Sequence, residues 1–277
     1  MESLIASYGE SSSDSDIDSP PRTIYSNPNS VQVSESNRLP PPPIDLLNPP
    51  NSIDGLPTGT ETRVRSFPHV QGNYAVHVFI PVHLPPTRRK ELAQLLKRIM
   101  VAHPDLYVVD VDIPLNMLCK DDQKFEQVAL AREFHISLGR TVPIRVHQIE
   151  SITTMLRQRL QSQKQFWIDF NKLQVFVNDD HTRTFLSLEV LSRGLAEITK
   201  QIQTVNEIYR LHNLPEFYKD PRPHISIAWG TGDTSQVLER KVEEEMRRQK
   251  LNFACKFGGI ECKIGSKVYK ICKVLDE

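Results

Sequence analysis

The sequence predicts an α+β domain of two sheet-and-helix lobes that flank a central cleft, preceded by a disordered N-terminal arm. Two observations support this class. Strand-like and amphipathic helical patterns are mixed along residues 66–277, with hairpin patterns at residues 166–190 and 251–273. The two halves of this region also resemble each other in outline. Mixed strands and helices of this kind are typical of α+β domains, whereas residues 1–65 lack such patterns.

The arm over residues 1–65 is rich in proline, serine and acidic residues. Eleven of the 20 prolines fall in the first 70 residues, residues 11–16 read SSSDSD, and residues 40–43 are all proline. Such a segment buries too little apolar surface to offset the entropy of ordering its backbone. We therefore expect the arm to be disordered.

Charge differs between the arm and the domain. Residues 1–60 contain eight acidic side chains and two arginines, which gives a net charge of −6, while the whole chain sums to zero. The remainder therefore carries +6. This surplus is compatible with an anionic substrate, but enzymes with neutral substrates have similar surpluses.

The first half of the domain contains two strand patterns and two helix patterns. Residues 74–82 and 133–138 are apolar, partly β-branched runs that predict strands. Apolar residues recur at helical spacing twice, and the first helix ends before Pro104. The spacing is marked by Leu92, Leu95, Leu96, Ile99 and Met100, and then by Ile149, Ile152, Leu156 and Leu160.

The second half repeats this alternation. We predict strands at residues 166–177, 183–190 and 223–229, and two final strands within residues 251–273. A helix lies between the second and third of these strands. A charged helix follows at about residues 234–249, and its segment 239–249 is interpreted as a solvated face. The apolar face of the first of these helices comprises Leu195, Ile198, Ile202, Val205 and Tyr209.

Cysteine spacing and hydropathy argue against a protein with paired metal or redox cysteines and against a membrane protein. Cys119, Cys255, Cys262 and Cys272 show no C-x-x-C spacing, so we interpret them as packing residues in a reduced, intracellular protein. The N-terminus lacks the pattern of a signal peptide. No stretch approaches the ~18 apolar residues that span a bilayer, so we expect no membrane insertion.

Two copies of a His-apolar-Ser-apolar motif are the candidate catalytic elements. They read FHISL at residues 134–138 and PHISI at residues 223–227. Side chains alternate between the two faces of a strand. His135 and Ser137 therefore share one face, as do His224 and Ser226. A lone histidine on a strand is more often structural, but two matching motifs favour a shared function.

Paired imidazoles and hydroxyls suit phosphoryl chemistry. An unperturbed histidine pKa of ~6.5 allows one imidazole to act as a neutral base and the other as a protonated acid. Ser137 and Ser226 can donate hydrogen bonds to nonbridging phosphate oxygens as charge develops there. This set of residues requires no metal and no cofactor.

The paired motifs resemble those of the 2H phosphoesterase superfamily, named for its two histidines. Two longer segments are similar to the branch that trims the 3′ end of U6 small nuclear RNA. These are EFYKDPRPHISIAW at residues 216–229 and TRTFLSLEV at residues 182–190. The resemblance covers about residues 70–277, and the serine- and acid-rich N-terminus also has a composition similar to the family's.

The resemblance implies a 3′-to-5′ exoribonuclease that shortens an oligouridine tail in the nucleus. Its product carries a 2′,3′-cyclic phosphate, which some members open to a 3′-phosphate. The resemblance also implies that Tyr218 stacks on the terminal base of single-stranded RNA. We expect a monomer that needs neither a metal nor a membrane.

In the expected mechanism, one histidine deprotonates a ribose 2′-OH that attacks the adjacent phosphate, and the other protonates the departing 5′-oxygen. The resemblance favours His224 as base and His135 as acid. Arg140 and Arg222 are either phosphate contacts or plain surface charges.

Two other hypotheses remain open. The first is a hydrolase of small 2′,3′-cyclic nucleotides, or a 2′-5′ ligase-like member of the same superfamily. The second is a non-catalytic splicing factor that binds an RNA end. A binding module has no need of a second histidine, so the two intact His-x-Ser pairs argue against it.

Overall fold

A computed structural model describes Phe67, residues 70–249 and residues 251–274. The predicted arm at residues 1–65 lies outside these described residues. The strands are β1 Asn73–His83, β2 Leu106–Val108, β3 Glu133–Ser137, β4 Val142–Arg145, β5 Trp167–Val177, β6 Arg183–Val190, β7 His224–Thr231, β8 Phe253–Lys256, β9 Gly259–Ile264 and β10 Lys267–Lys273. The helices are α1 Pro86–Met100, α2 Leu115–Leu118, α3 Asp122–Phe125, α4 Val146–Leu160, α5 Leu195–Leu211 and α6 Ser235–Arg248, with a π-helical turn at Glu126–Leu130.

Strand β1 organises the first antiparallel sheet, which we call sheet A. Its strand order is β10-β9-β1-β3, and β4 also pairs with β1. Phe79 lies opposite Ser137 of β3, and Tyr74 lies opposite Ile144 of β4. On the other edge of β1, His77 lies opposite Lys263 of β9. A single strand therefore fixes the positions of three others.

The second antiparallel sheet, sheet B, has the strand order β2-β7-β6-β5-β8. Ser187 of β6 lies opposite Ser226 of β7, and a register shift follows between Leu186 and Ser187. Helix α4 packs on β4, β9 and β10, while α6 packs on β5 and α1. The predicted α+β class is confirmed.

The last strands of the chain are divided between the two sheets, which corrects the prediction of two final strands in a hairpin at residues 251–273. There are three strands. β8 joins sheet B beside β5, where Phe253 stacks on Phe170 with ring centroids 4.7 Å apart. β9 and β10 form a hairpin in sheet A. Gly259 has φ +146°, and a Cβ there would clash with the carbonyl oxygen of Cys272, so the change of sheet requires a glycine.

Sequence patterns do not reveal β2, β4, α2, α3 or the π-helical turn. The two strands and the two helices have three or four residues each, which is too short for a periodic pattern to emerge. β4 also contains Pro143, which argues against a strand in the interior of a sheet. This proline is exposed on a strand that pairs with β1, as is usual for proline at a sheet edge.

The predicted solvated face of the charged helix is wrong for one of its charged residues. Glu245 of α6 is fully buried. Its carboxylate accepts from Arg98 of α1 at 2.6 Å and lies 3.1 Å from Nζ of Lys241. Burial alone would raise the pKa of Glu245, but the hydrogen bonds from Arg98 and Lys241 outweigh it, so the pKa is lowered. This ion pair attaches α6 to α1.

We predict that Glu245→Gln lowers the free energy of unfolding by about 3 kcal/mol, the lower end of the range for breaking a buried ion pair. The lower end applies because Arg98 is 37% exposed and can recover water. Urea unfolding at pH 7 measures the change. Glu243→Gln is the matched control, since the Glu243 side chain is 69% exposed on the same helix. A loss equal to that of the control would contradict a stabilising role.

Candidate active site

The two His-x-Ser motifs lie on β3 and β7, and these two strands contact each other across the sheets. Within each strand the apolar residues of the motif are buried while the polar residues are partly exposed, which confirms the predicted alternation. The buried residues are Phe134, Ile136, Ile225 and Ile227. The partly exposed residues are His135, Ser137, His224 and Ser226.

A cleft of about 830 Å³ is lined by Ser137 of β3 and by His224 and Ser226 of β7. Its wall also includes Phe176 and Tyr218. His135 lies beside this cleft, close enough to His224 for the two imidazoles to interact electrostatically. The fold therefore brings together the four residues predicted from the motifs.

His224 is held in one tautomer by a backbone carbonyl. Its Nδ1 lies 2.7 Å from the carbonyl oxygen of Arg222, and because a carbonyl can only accept, Nδ1 carries the proton. In the neutral ring, Nε2 is then free to accept a proton. Burial, and the charges of His135 and Arg222, lower the pKa of His224, so the ring is neutral at pH 7. These properties suit a general base.

His135 sits among aromatic rings on the face of sheet A. Its ring makes edge contacts with His77 at 4.8 Å and with Phe79 at 5.7 Å between centroids. Burial lowers the pKa of His135, and Arg132 lowers it further, whereas Asp110 raises it. A phosphodiester anion beside the ring would also raise this pKa. The substrate itself would therefore favour the protonated form.

Each serine of the motifs has a polar partner on the neighbouring strand. Ser137 Oγ lies 3.0 Å from His77 Nε2 on β1, and Ser226 Oγ lies 3.1 Å from Ser187 Oγ on β6. Burial and the charge of His135 lower the pKa of His77 to about 3. His77 and Ser187 were not predicted from the sequence. Strand alternation alone could have placed each on one face of its strand, but it does not say which strands are neighbours.

Tyr218 lines the cleft with its side chain 45% exposed. The Arg140 guanidinium lies 4.2 Å from the ring centroid, and Phe217 makes an edge contact at 5.1 Å. Burial raises the pKa of Tyr218, as does the charge of Asp179. The ring is thus held in place and retains exposed aromatic surface.

Arg140 and Arg222 line the cleft, but each is already paired with a carboxylate. Arg140 donates to Asp179 at 2.9 Å. Arg222 donates two hydrogen bonds, at 2.6 and 2.8 Å, to Glu189, which is only 3% exposed. The hydrogen bonds to Glu189 raise the pKa of Arg222. Both arginines are therefore members of ion pairs and are not isolated surface charges.

The cysteines agree with the packing role expected from the sequence. All four cysteines are free thiols, and Cys262 and Cys272 are buried. Within the described ranges, no three His, Cys, Asp or Glu side chains group as metal ligands. The helices seen there are too short or too polar to cross a membrane.

Comparison with known proteins gives consistent matches. The model of the HVSL family, described as an uncharacterised conserved protein, matches residues 40–272. U6 snRNA phosphodiesterase 1 of Danio rerio is 33% identical over 218 residues, which is 75% of this chain and 69% of that protein. The human protein of the same name is 30% identical over 209 residues, covering 72% and 70% of the two chains.

A solved structure shows the same fold. Kluyveromyces marxianus Usb1 matches with a TM-score of 0.50 at 13% identity, over 71% of this chain and 97% of that one. Two antiparallel sheets that each present a His-x-Ser strand to a common cleft define a 2H phosphoesterase. Within this class, the chain belongs to the U6 snRNA phosphodiesterase 1 family, and the expected resemblance is confirmed.

Proposed function

We propose that the chain is a 3′-to-5′ exoribonuclease that trims the oligouridine 3′ end of U6 small nuclear RNA. It works in the nucleus as a monomer, without a metal or other cofactor, and leaves a 2′,3′-cyclic phosphate that can be opened to a 3′-phosphate. The catalytic residues are His135, Ser137, His224 and Ser226. Relatives named as U6 snRNA phosphodiesterases support the substrate.

One observation carries this proposal: two partly buried histidines approach each other from separate strands, and one of them has a fixed tautomer. The Arg222 carbonyl holds the proton of His224 on Nδ1, which leaves Nε2 as an acceptor. His135 has no such fixed role, and an adjacent phosphate would favour its protonation. The geometry therefore supports the assignment of His224 as base and His135 as acid.

In this mechanism, His224 Nε2 takes the proton from the 2′-OH of the penultimate ribose. The 2′-oxygen forms a bond to the adjacent phosphorus, and the bond from phosphorus to the 5′-oxygen of the terminal nucleotide breaks. His135 gives its proton to that departing oxygen. The products are a 2′,3′-cyclic phosphate and a free nucleoside. Ser137 and Ser226 donate hydrogen bonds to the nonbridging oxygens.

Tyr218 is proposed to stack on the terminal base. Its ring has exposed surface in the cleft, while Arg140 lies over the ring and holds it in place. Stacking on a fixed aromatic ring contributes ~1–3 kcal/mol per base. The residue therefore supplies recognition of a single-stranded end and takes no part in proton transfer.

The decisive test uses two oligouridines that differ in one sugar. We expect a 2′-deoxy substitution at the penultimate nucleotide to block release of the terminal nucleoside, because it removes the nucleophile. At the terminal nucleotide the same substitution should cost at most ~0.5–1.5 kcal/mol, the strength of one hydrogen bond. Release is measured with labelled RNA in EDTA, with 2′,3′-cyclic UMP as a competing small substrate. Efficient cleavage of the penultimate-deoxy RNA would exclude 2′-OH attack.

Loss of either histidine should nearly abolish cleavage. We expect His135→Ala and His224→Ala each to lower turnover by about 100- to 10,000-fold, with RNA affinity largely retained, because acid and base cannot replace each other. Single-turnover cleavage and fluorescence anisotropy measure the two quantities. His83→Ala, at the exposed end of β1, is the control. A catalytic variant with more than half of wild-type turnover would contradict paired acid-base catalysis.

The pH profile follows from the lowered pKa values of His135 and His224. A base must be deprotonated, so activity rises through the pKa of His224, and an acid must be protonated, so activity falls above the pKa of His135. We therefore expect both limbs of the kcat/KM profile below the ordinary value of 6.5. The kcat profile should lie at higher pH, because bound phosphate raises the pKa of His135. A kcat/KM optimum above pH 6.5 would contradict this assignment.

A further inference from the structure

A third histidine, His77, lies among the proposed catalytic groups. It is on β1, two residues before Phe79, which is opposite Ser137. The His77 ring stacks on Phe79 with centroids 5.0 Å apart and contacts the His135 ring edge-on at 4.8 Å. Its Nε2 is within hydrogen-bond distance of Ser137 Oγ, at 3.0 Å. Contacts on both sides thus hold the imidazole against the serine.

The direction of this hydrogen bond decides what Ser137 can do. With a pKa of about 3, His77 is neutral at any working pH and has one N–H group and one acceptor nitrogen. If Nε2 carries the proton, Ser137 Oγ accepts a hydrogen bond from His77. The hydroxyl proton of Ser137 then remains available for another acceptor. In the opposite direction, Ser137 donates its hydroxyl proton in a hydrogen bond to His77 Nε2. The lone pairs of the serine oxygen would then face an anionic phosphate.

We propose that His77 is a positioning residue, whose Nε2–H donates to Ser137 Oγ and directs the Ser137 hydroxyl proton toward a nonbridging oxygen of the scissile phosphate. This role rests on the proposed function. A donor fixed before the substrate arrives needs no reorganisation when negative charge develops in the transition state. His77 therefore acts through Ser137 and transfers no proton itself.

The second motif has a corresponding arrangement. Ser187 is fully buried on β6, directly opposite Ser226, and the two hydroxyls are 3.1 Å apart. When Ser187 donates to Ser226, the Ser226 proton is likewise free for the phosphate. In both sheets, then, the serine that faces the cleft is supported by a polar side chain from the strand beside it.

A different reading of the same pair is a nucleophilic dyad, in which His77 deprotonates Ser137 and the serine attacks phosphorus. Such a step would join Ser137 Oγ to the 3′-phosphate of the shortened RNA, while the bond from phosphorus to the 5′-oxygen breaks and the terminal nucleoside leaves. A histidine whose pKa is about 3 is a weak base for this task. The His77 ring is also packed against His135. This contact holds the imidazole in place, as a fixed hydrogen-bond donor requires.

The experiment compares two substitutions of His77 in the full chain. His77→Gln places an amide N–H near the position of Nε2, whereas His77→Phe keeps the ring packing and removes the donor. We expect His77→Phe to lower kcat on oligouridine by about 10-fold with KM within about twofold, and His77→Gln to keep at least about half of kcat. His83→Phe, on the same strand, is the control and should match wild type. Thermal unfolding verifies that each variant is folded.

Two further readouts separate positioning from a structural role. If His77 acts through Ser137, adding His77→Phe to Ser137→Ala should lower kcat by no more than about twofold beyond Ser137→Ala alone. Sulfur is a weak hydrogen-bond acceptor, so a phosphorothioate at the oxygen bound by Ser137 should slow the wild type. The same diastereomer should be much less inhibitory, relative to oxygen, in His77→Phe and in Ser137→Ala.

The outcomes are distinct. Lack of oligouridine cleavage by the wild type would overturn the proposed function and this role with it. Wild-type cleavage with fully active His77→Phe, additive losses with Ser137→Ala, or an unchanged thio effect would overturn the positioning role alone. So would a His77→Gln variant that is folded but as slow as His77→Phe. A trapped covalent adduct between Ser137 and the shortened RNA would show the nucleophilic dyad instead.

Discussion

The alternation of buried and cleft-facing side chains within the two motifs, on β3 and at the start of β7, is the constraint on which the site depends. Ile136 and Ile225 are fully buried, so neither strand can turn over without exposing its apolar row. A slip of one residue would send the histidine and serine into the core. The hydrophobic effect, which has no directionality of its own, thereby determines where the polar atoms of the motifs point.

Pairing between neighbouring strands supplies the polar groups that support the motif residues. β1 brings His77 beside Ser137, and β6 brings Ser187 beside Ser226. The backbone carbonyl of Arg222 sets the tautomer of His224. The Arg222 side chain forms an ion pair with the buried Glu189. The proposed reacting groups are few, but the strands that hold them come from most of the folded chain.

The α+β class, the longer elements and the four motif residues could be predicted because each depends on a local pattern. Alternation places His135 with Ser137 without any knowledge of the fold. His77 and the burial of Glu245 could not be predicted in this way, since both depend on which elements become neighbours. The assignment of β8 to sheet B and of β9 to sheet A could not be predicted from local patterns either. It depends on contacts of β8 with Phe170 and on the backbone of Gly259, and both are decided by tertiary packing.

The pairing of β1 with β9 has a consequence for biosynthesis. The edge of β1 that includes Val76 and Phe79 is completed by residues 259–264, which leave the ribosome long after β1 does. At ~5–20 residues per second, the delay is on the order of ten seconds or more. During that time a nascent chain presents an open, largely apolar strand edge, the kind of surface that pairs with other chains. Sheet A can therefore be completed only late in translation, and until then the open edge of β1 is available for unwanted pairing.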